Sequence, residues 1–523
     1  MYAGQKYLLC RCLHIGDYKT DSGRAGRRMG TLDDDCCCCL FDSRDYCLRS
    51  VLPLPALRKA TANQGKRPEV LPPLQGESEV RVIHLPPQVQ LLLQQLNAAG
   101  FDAYAVGGCV RDSLLGQTPQ DWDICTSAQP EQTASCFKAD RTILTGARYG
   151  TVTVVRDGVC YEITTYRAES AYSDSRHPDC VQFLSDLHGD LLRRDFTINA
   201  MAADVHGEVT DLFGGADDLR RGILRCVGSP EARFEEDALR ILRALRFASR
   251  FGFAVETKTA EAVHRCRERL HAVAKERLCK ELTGLLVGRN AAAVLREFAD
   301  VVCILIPELA PCIGFRQYNP HHAFDVWEHI LAALDAAETE EQLRLAVLLH
   351  DIGKPDAFFL DQQLVGHFYG HAVIGAAMAE TILRRLRFDR ETVRVVTQLV
   401  RWHDCLFAET ERGMRRLLTR LGEPLVRTLL RLRRADRLGK CTEPTEVVEA
   451  SIHALEARVT HVMEGSNCLT LRELKISGRE LLALGVPEGR QVGEILRRLF
   501  EAVVDGTLPN EPDALLNAAR KIC

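Results

Sequence analysis

FDAYAVGGCVRDSLLG, residues 101–116, followed by DWDI at residues 121–124, sets the reading of the whole chain. Tyr104, Ala105 and Val106 read as a strand, Gly107 and Gly108 as a turn, and Val110–Leu115 as a helix. On an extended DWDI the side chains alternate faces, so Asp121 and Asp123 share one side and Trp122 turns to the core. Two neighbouring carboxylates repel each other unless a cation lies between them. The glycine pair puts no side chain in the way, the helix behind it offers free N–H groups, and Arg111 sits one turn in, where it can hold phosphate oxygens. Alone, a D-x-D is ordinarily a solvated strand edge and a Gly-Gly a plain turn. In this order they point to a cation site beside a phosphate cradle, the equipment of metal–triphosphate chemistry.

Upstream, Val89, Leu92, Leu93 and Leu96 recur at helical spacing and Gly100 is a natural stop. Downstream, Thr151–Val155 and Tyr161–Tyr166 read as strands. In the second, Glu162 shares a face with Thr164, opposite Tyr161 and Ile163, which makes it a third candidate carboxylate or a polar edge residue. From about Ser229 the pattern is helical to the end. The expected class is α+β, a small α/β head followed by a long helical body. The chain has 523 residues, 46% hydrophobic and 26% charged, which excludes a fibrous or wholly disordered protein and supplies several cores. Its net charge of −4 excludes a globally basic coat while permitting a local basic face. No apolar run reaches bilayer-spanning length, and no early segment reads as a secretory signal. The 21 cysteines are spread thinly, and outside the N-terminus they sit singly among core-like residues such as Cys109, Cys226 and Cys303, as reduced cytosolic thiols do. Cys36–Cys39 stand in a row, unlike the separated pairs of a zinc site. Residues 1–80 hold no lasting period and predict a poorly ordered extension.

GGCVRDSLLG and DWDI are followed by RRDFTINAMA (Arg193–Ala202), DLFGG (Asp211–Gly215) and EEDALRILRALRF (Glu235–Phe247). Together, from about residue 81 to the C-terminus, they resemble the class II tRNA nucleotidyltransferases, the bacterial-type CCA-adding enzymes and their poly(A) polymerase relatives. The resemblance implies a polymerase-β-like nucleotidyltransferase head in which Asp121 and Asp123 hold Mg²⁺, with Glu162 still the candidate third catalytic carboxylate that its strand parity suggests. It implies nucleotide contacts from Gly108, Arg111 and Arg194. It also implies that Asp237 and Arg240 touch the incoming base. Cytosine and adenine both present an exocyclic amine beside a ring-nitrogen acceptor, which a carboxylate and a guanidinium match and which uracil and guanine do not. Asp237, Arg240, Arg243 and Arg246 follow every third residue and are expected on one helical face, binding nucleotide. Asp195 and Asn199 are expected to hold the head together. The Ser/Asp/Pro-rich stretch Arg167–Phe183 reads as a loop, and its presence favours A addition as well as C addition. TGARYGTVTV (Thr145–Val154) is closer to the CCA-adding pattern than to the poly(A) polymerase one.

A second module resembles an HD-type helical domain. His329, the His350-Asp351 pair, His371, His403 and Asp436 occur in order along apolar helices, and imidazole and carboxylate groups converging from several helices suit a divalent metal. His329, His350, Asp351 and Asp436 are the expected metal set, with His371 and His403 as candidates for a second ion or for phosphate. The expected boundaries are an extension at 1–80, head at 81–228, neck at 229–315, HD domain at 316–445 and tRNA-contacting tail at 446–523. Arg412, Arg415, Arg416, Arg427, Arg431, Arg433 and Arg434 are either tRNA backbone contacts or solvated. The whole predicts a cytoplasmic enzyme adding C, C and A to tRNA from CTP and ATP, with an HD phosphohydrolase activity. The alternatives are a partial CC- or A-adding enzyme, a poly(A) polymerase, a phosphohydrolase with an RNA-gripping head, and a non-catalytic tRNA-binding protein; the intact head carboxylates speak against the last two.

Overall fold

Val89, Leu92, Leu93 and Leu96 are fully buried on one stripe of the helix Pro87–Ala98, which lies against the head's sheet. The computed structural model describes residues 81–169, 181–319, 322–405, 410–465 and 468–522, all within the unit Arg67–Cys523. The extension expected at 1–80 and the middle of the loop expected at 167–183 lie outside the described residues.

The head contains β1 (Ala103–Val106), β2 (Ile124–Thr126), β3 (Arg141–Ile143), β4 (Thr151–Arg156), β5 (Val159–Thr165), β6 (Arg167–Glu169), β7 (Val181–Phe183), β8 (Met201–Ala203) and β9 (Val209–Asp211). Seven of these form one sheet in the order β3-β4-β5-β2-β1-β8-β9. Its pairs are antiparallel except β2 with β5, where Ile124 pairs with Ile163. β6 and β7 pair with each other, so the ends of the expected loop form a ladder. Strand β2 begins only at Ile124, and Asp121–Asp123 lead into it. The helix after the glycine turn runs Gly108–Leu114, starting earlier than its apolar residues suggest.

Ser229 caps the first neck helix, Pro230–Glu236. EEDALRILRALRF is not one helix. Asp237 adopts an extended conformation (φ −141, ψ 103) and its carboxylate accepts from Leu239 N at 3.0 Å, so the chain breaks and restarts as Leu239–Phe251. A short acid that bonds nearby backbone competes with helix continuation. Buried Arg344 fastens neck to body by donating to four backbone carbonyls, those of Leu286, Gly288, Ala337 and Glu338. In the body, the helix Val326–Ala336 packs along Glu423–Lys440, and His371–Arg385 along Arg390–Trp402.

The tail has its own apolar cluster, including Leu481, Ile495, Leu499 and Leu515. It is tied to the helix Glu411–Leu421 through Asp505, which accepts from Arg412 and Arg416, and through Arg415, which donates to Val504 O. Arg427 pairs with Glu423, Arg431 with Glu338 and Glu340, Arg434 with Glu449, and Arg433 donates to Cys405 O. Each of these arginines thus has a protein partner, while Arg412, Arg416 and Arg427 stay exposed at 52%, 60% and 42%. Among the described residues the cysteines are free, and burial pushes the thiols of Cys109 and Cys226 up to about 12. No described helix is long and apolar enough to cross a membrane.

Candidate active sites

In the head, β1 ends at Val106, whose N–H donates to Asp123 O at 2.9 Å. That bond places the DWDI segment against the glycine turn. Ile124 pairs with Ile163, so the preceding residues, Asp123 and Glu162, stand side by side at the same end of the parallel ladder. Trp122 packs on the core while Asp121, Asp123 and Glu162 face solvent. Although Asp123 keeps solvent contact, the surrounding protein crowds it and raises its carboxyl to about 6, with repulsion from Asp121 and then Glu162 adding and Arg194 opposing. A carboxylate whose charge is destabilised beside two acidic neighbours fits a divalent cation. Beside them, Gly107 has φ +83, and a Cβ there would lie 3.0 Å from Arg194 Nη1. Arg194 is anchored by Asp190 at 3.1 Å, and its buried Nε has no hydrogen-bond partner among the described residues. An acidic cluster and a held guanidinium thus meet at the turn that begins with Gly107 and Gly108.

Arg111 follows the glycine turn as expected. It is only 4% exposed, donates to Asp112 and Asn199, and lies over the rings of Phe247 and Phe251 at 5.3 and 5.0 Å. Its face of the short helix is the one that packs on the neck. Arg243 and Arg246 are also committed. Arg243 donates Nε and Nη2 to Asp195 Oδ2 at 2.9 and 2.7 Å, and Arg246 Nε donates to Glu281 at 2.5 Å. Burial pushes the Asp195 carboxyl up, but Arg243 and Asn199 outweigh it and hold it at about 2. Asn199 binds Asp195 and Arg111 within the head, and Asp195 reaches across to Arg243 of the neck, a link between the two that the sequence reading did not include.

Asp237 lies in the break between the two helices and Arg240 in the first turn of the second, so the two do not share one helical face as expected. Arg240 is gripped by Glu236 at 2.6 Å and by the carbonyls of Arg193 and Arg233, which fixes its guanidinium plane. Asp237 accepts from Arg277 at 2.8 Å. Neither Glu236 nor Arg277 was legible as a partner. Glu236 lies four residues before Arg240, an ordinary ion-pair spacing, and Arg277 comes from another helix.

In the body the structure brings all six expected groups together. His329 Nε2 lies 3.2 Å from His350 Nε2, 3.2 Å from Asp351 Oδ2 and 3.1 Å from Asp436 Oδ1. On the other side, His371 Nε2 and His403 Nε2 are 3.1 Å apart and lie 3.4 and 3.6 Å from Asp351 Oδ1. Asp351 thus offers one oxygen to each set. The Nδ1 atoms of His350, His371 and His403 face the carbonyls of Val347, Phe368 and Val400 at 2.7–2.8 Å. A carbonyl can only accept, so these Nδ1 atoms carry the protons and the Nε2 lone pairs point inward, the tautomer a metal requires. Gly353 permits the crossing, since a Cβ there would lie 2.4 Å from His371 O. Three buried, inward-facing lone pairs beside a shared carboxylate fit divalent ions well. Lys354, unnoticed in the sequence, donates to Asp351 Oδ2 at 2.7 Å and to Gln317 at 2.8 Å. His367 lies outside the cluster, 2.7 Å from Asp361.

Three family models match the chain: a poly A polymerase head domain over residues 103–225, an RNA and SrmB-binding site of polymerase A over 252–312, and tRNA nucleotidyltransferase domain 2 over 368–519. The CCA-adding enzyme of Enterococcus faecalis is 33% identical over 435 residues, covering 82% of this chain and 94% of that protein. That of Bacillus velezensis is 35% identical over 421 residues, covering 80% and 94%. Among solved structures, the Bacillus stearothermophilus CCA-adding enzyme in complex with CTP superposes with a TM-score of 0.63 at 28% identity, covering 84% of this chain and 98% of that one. The Thermotoga maritima CCA-adding enzyme complexed with tRNA shares the fold, with a TM-score of 0.54 at 22% identity, covering 85% and 100%.

Proposed function

The chain belongs to the CCA-adding enzymes, and from that premise we propose how its residues divide the work. It is a nucleotidyltransferase that builds C, C and A onto the tRNA 3′ end from CTP and ATP. The terminal hydroxyl attacks the α-phosphate, and pyrophosphate leaves. The observation that carries the site assignment is the crowded Asp121–Asp123–Glu162 surface beside Arg194 at the glycine turn. Asp121 and Asp123 are the ligands of Mg²⁺, which when bound supplies charge that stabilises the attacking and leaving oxygens. Glu162 extends the acidic surface. Arg194 holds triphosphate oxygens, with the backbone at Gly108 leaving room for them.

Asp237 accepts from the exocyclic amine of cytosine or adenine, and Arg240, oriented by Glu236, donates to the ring nitrogen. Each such bidentate pairing is worth roughly 1–3 kcal/mol, enough to reject uracil and guanine. Arg111 and Arg243 act behind these residues, fixing head against neck, and Arg246 ties two neck helices together through Glu281. The working divisions are head 81–228, neck 229–315, HD domain 316–445 and tail 446–523. The place of work is the cytoplasm.

A second activity, phosphohydrolysis, is favoured by the six-group cluster of the body. His329, His350, Asp351 and Asp436 hold one divalent ion, and His371, His403 and the second oxygen of Asp351 hold another. Such ions supply Lewis acidity that lowers the pKa of water toward neutrality. Lys354 fixes the rotamer of Asp351. Phosphate-blocked RNA ends are its natural substrates, since clearing them frees the hydroxyl that the head extends.

The test gives purified protein tRNA lacking CCA, with CTP and ATP separately and together, and reads products at single-nucleotide resolution. Asp121→Ala should lose addition and keep hydrolysis of 2′,3′-cyclic and 2′-phosphate ends, and Asp351→Ala should do the reverse. If wild-type protein takes up no Mg²⁺, Mn²⁺, Ni²⁺ or Co²⁺ in the body and turns over none of these ends, the second activity is excluded.

A further inference from the structure

Beside the His/Asp cluster a short hairpin, Phe359–Leu360 paired with Gly366–His367, carries an unusual surface. Tyr369 is 75% exposed, Phe359 44% and Leu364 72%. The rings of Phe359, His367 and Tyr369 lie against one another with centroids 5.3, 5.4 and 5.6 Å apart, and His367 is within 26° of parallel to both neighbours. Large apolar side chains that make their best contacts with each other, out in water, mark an interaction site.

The hairpin is held firmly. The Asp361 carboxylate accepts from Gln363 N and Val365 N at 2.9 Å and lies 2.7 Å from His367 Nε2, so one side chain orders both the tip and the central ring. Gly366 N–H donates to Tyr318 O at 2.7 Å, tying the hairpin to the Gln317–Asn319 segment. Leu364 occupies the left-handed region at φ +60, which is costly for a branched side chain and requires support from its surroundings. The same few residues reach the cluster. Phe368, between His367 and Tyr369, receives Lys354 Nζ 5.2 Å from its ring centre, and Lys354 bonds Asp351. His371 follows directly.

We propose that the Phe359–His367–Tyr369 tile is a stacking platform for bases of single-stranded RNA whose end enters the His/Asp cluster. The proposal rests on the phosphohydrolase reading of that cluster and names its substrate class. His367 lies near-parallel to each flanking ring while Phe359 and Tyr369 tilt 43° from each other, and such exposed ring faces suit nucleobases, because every base has a π-face, and give sequence-tolerant grip on a strand. The polymer this chain processes supplies such bases at its unpaired 3′ end.

The experiment measures binding of short fluorescent single-stranded oligoribonucleotides by anisotropy, on the full chain with EDTA present so that nothing turns over. Tyr369→Ala should weaken binding about five- to a hundredfold, the range of one lost base stack, and Tyr369→Phe should bind as wild type does. Oligomers made abasic near the 3′ end should bind weakly to wild type and no more weakly to Tyr369→Ala. With ions restored, Tyr369→Ala should raise KM for phosphate-blocked RNA ends and leave kcat largely unchanged. Tyr369 is exposed, so its truncation opens no core. Equal RNA affinity of Tyr369→Ala and wild type would overturn the platform, as would sedimentation showing that the patch instead pairs two copies of the chain. Tyr369-dependent binding without any hydrolysis would sink the phosphohydrolase reading, and hydrolysis with Tyr369-independent binding would sink the platform alone.

Discussion

Asp195→Asn separates the two roles open to Arg243, nucleotide ligand and structural clamp. The Asp195 carboxylate accepts four hydrogen bonds: Phe196 N at 2.8 Å and Asn199 Nδ2 at 3.0 Å on one oxygen, Arg243 Nε and Nη2 at 2.9 and 2.7 Å on the other. An asparagine presents one acceptor oxygen, so whichever way its amide turns, two donors are left facing an NH₂. The carboxyl is held at about 2 against an ordinary 3.8, so removing the charge costs on the order of 2–3 kcal/mol. That corresponds to a rise on the order of a hundredfold in the population of states in which head and neck separate locally. The assay is amide hydrogen exchange over Thr197–Ala203 and Leu239–Phe251, where exchange should speed by that factor while the tail helices are unaffected. The pH dependence has a definite sign. Asp195's folded value lies below its unfolded one, so its contribution is complete above pH 3.8 and is lost as pH falls toward 2. Unchanged protection in Asp195→Asn would refute the clamp. So would Arg243→Ala with normal protection but uniformly weaker triphosphate binding.

Asp123→Ala should abolish nucleotide addition while tRNA binding, measured by filter retention, stays near wild type, because RNA affinity comes mainly from phosphate contacts elsewhere. Arg240→Ala should relax discrimination against UTP about ten- to a hundredfold in competition assays, and Glu236→Gln should do so more weakly by loosening the guanidinium it orients. Equal loss of affinity for all four triphosphates would instead make Arg240 a phosphate ligand. Gly353→Ala should lower metal content per chain in the body, read by elemental analysis, because the added methyl meets His371 O at 2.4 Å and pushes that ligand from Asp351. Deleting residues 1–75 should leave CCA addition intact, since the first matched family segment begins at residue 103.

The helix Pro87–Ala98, strands β4 and β5, the glycine turn and the DWDI carboxylates were legible in the sequence because each is a local pattern. A period of 3.6 or 2, or a pair of acids two residues apart, needs no knowledge of distant chain. β8 and β9 were not legible, because three buried residues in a row, or three half-buried ones, show no alternation. The six His and Asp groups of the body could be ordered along the chain, but only tertiary packing showed that Asp351 serves two sets with separate oxygens. The arginines were the least legible residues of all. A guanidinium five bonds from the backbone finds its partner by reach, and Asp195, Glu281, Glu338 and Asp505 come from other elements. Sequence alone therefore fixed which chemistry the chain carries. Folding decided which charged residues are free for nucleotide and RNA and which are consumed in holding the head, neck, body and tail together, because ion pairing depends on through-space distance rather than on position in the chain.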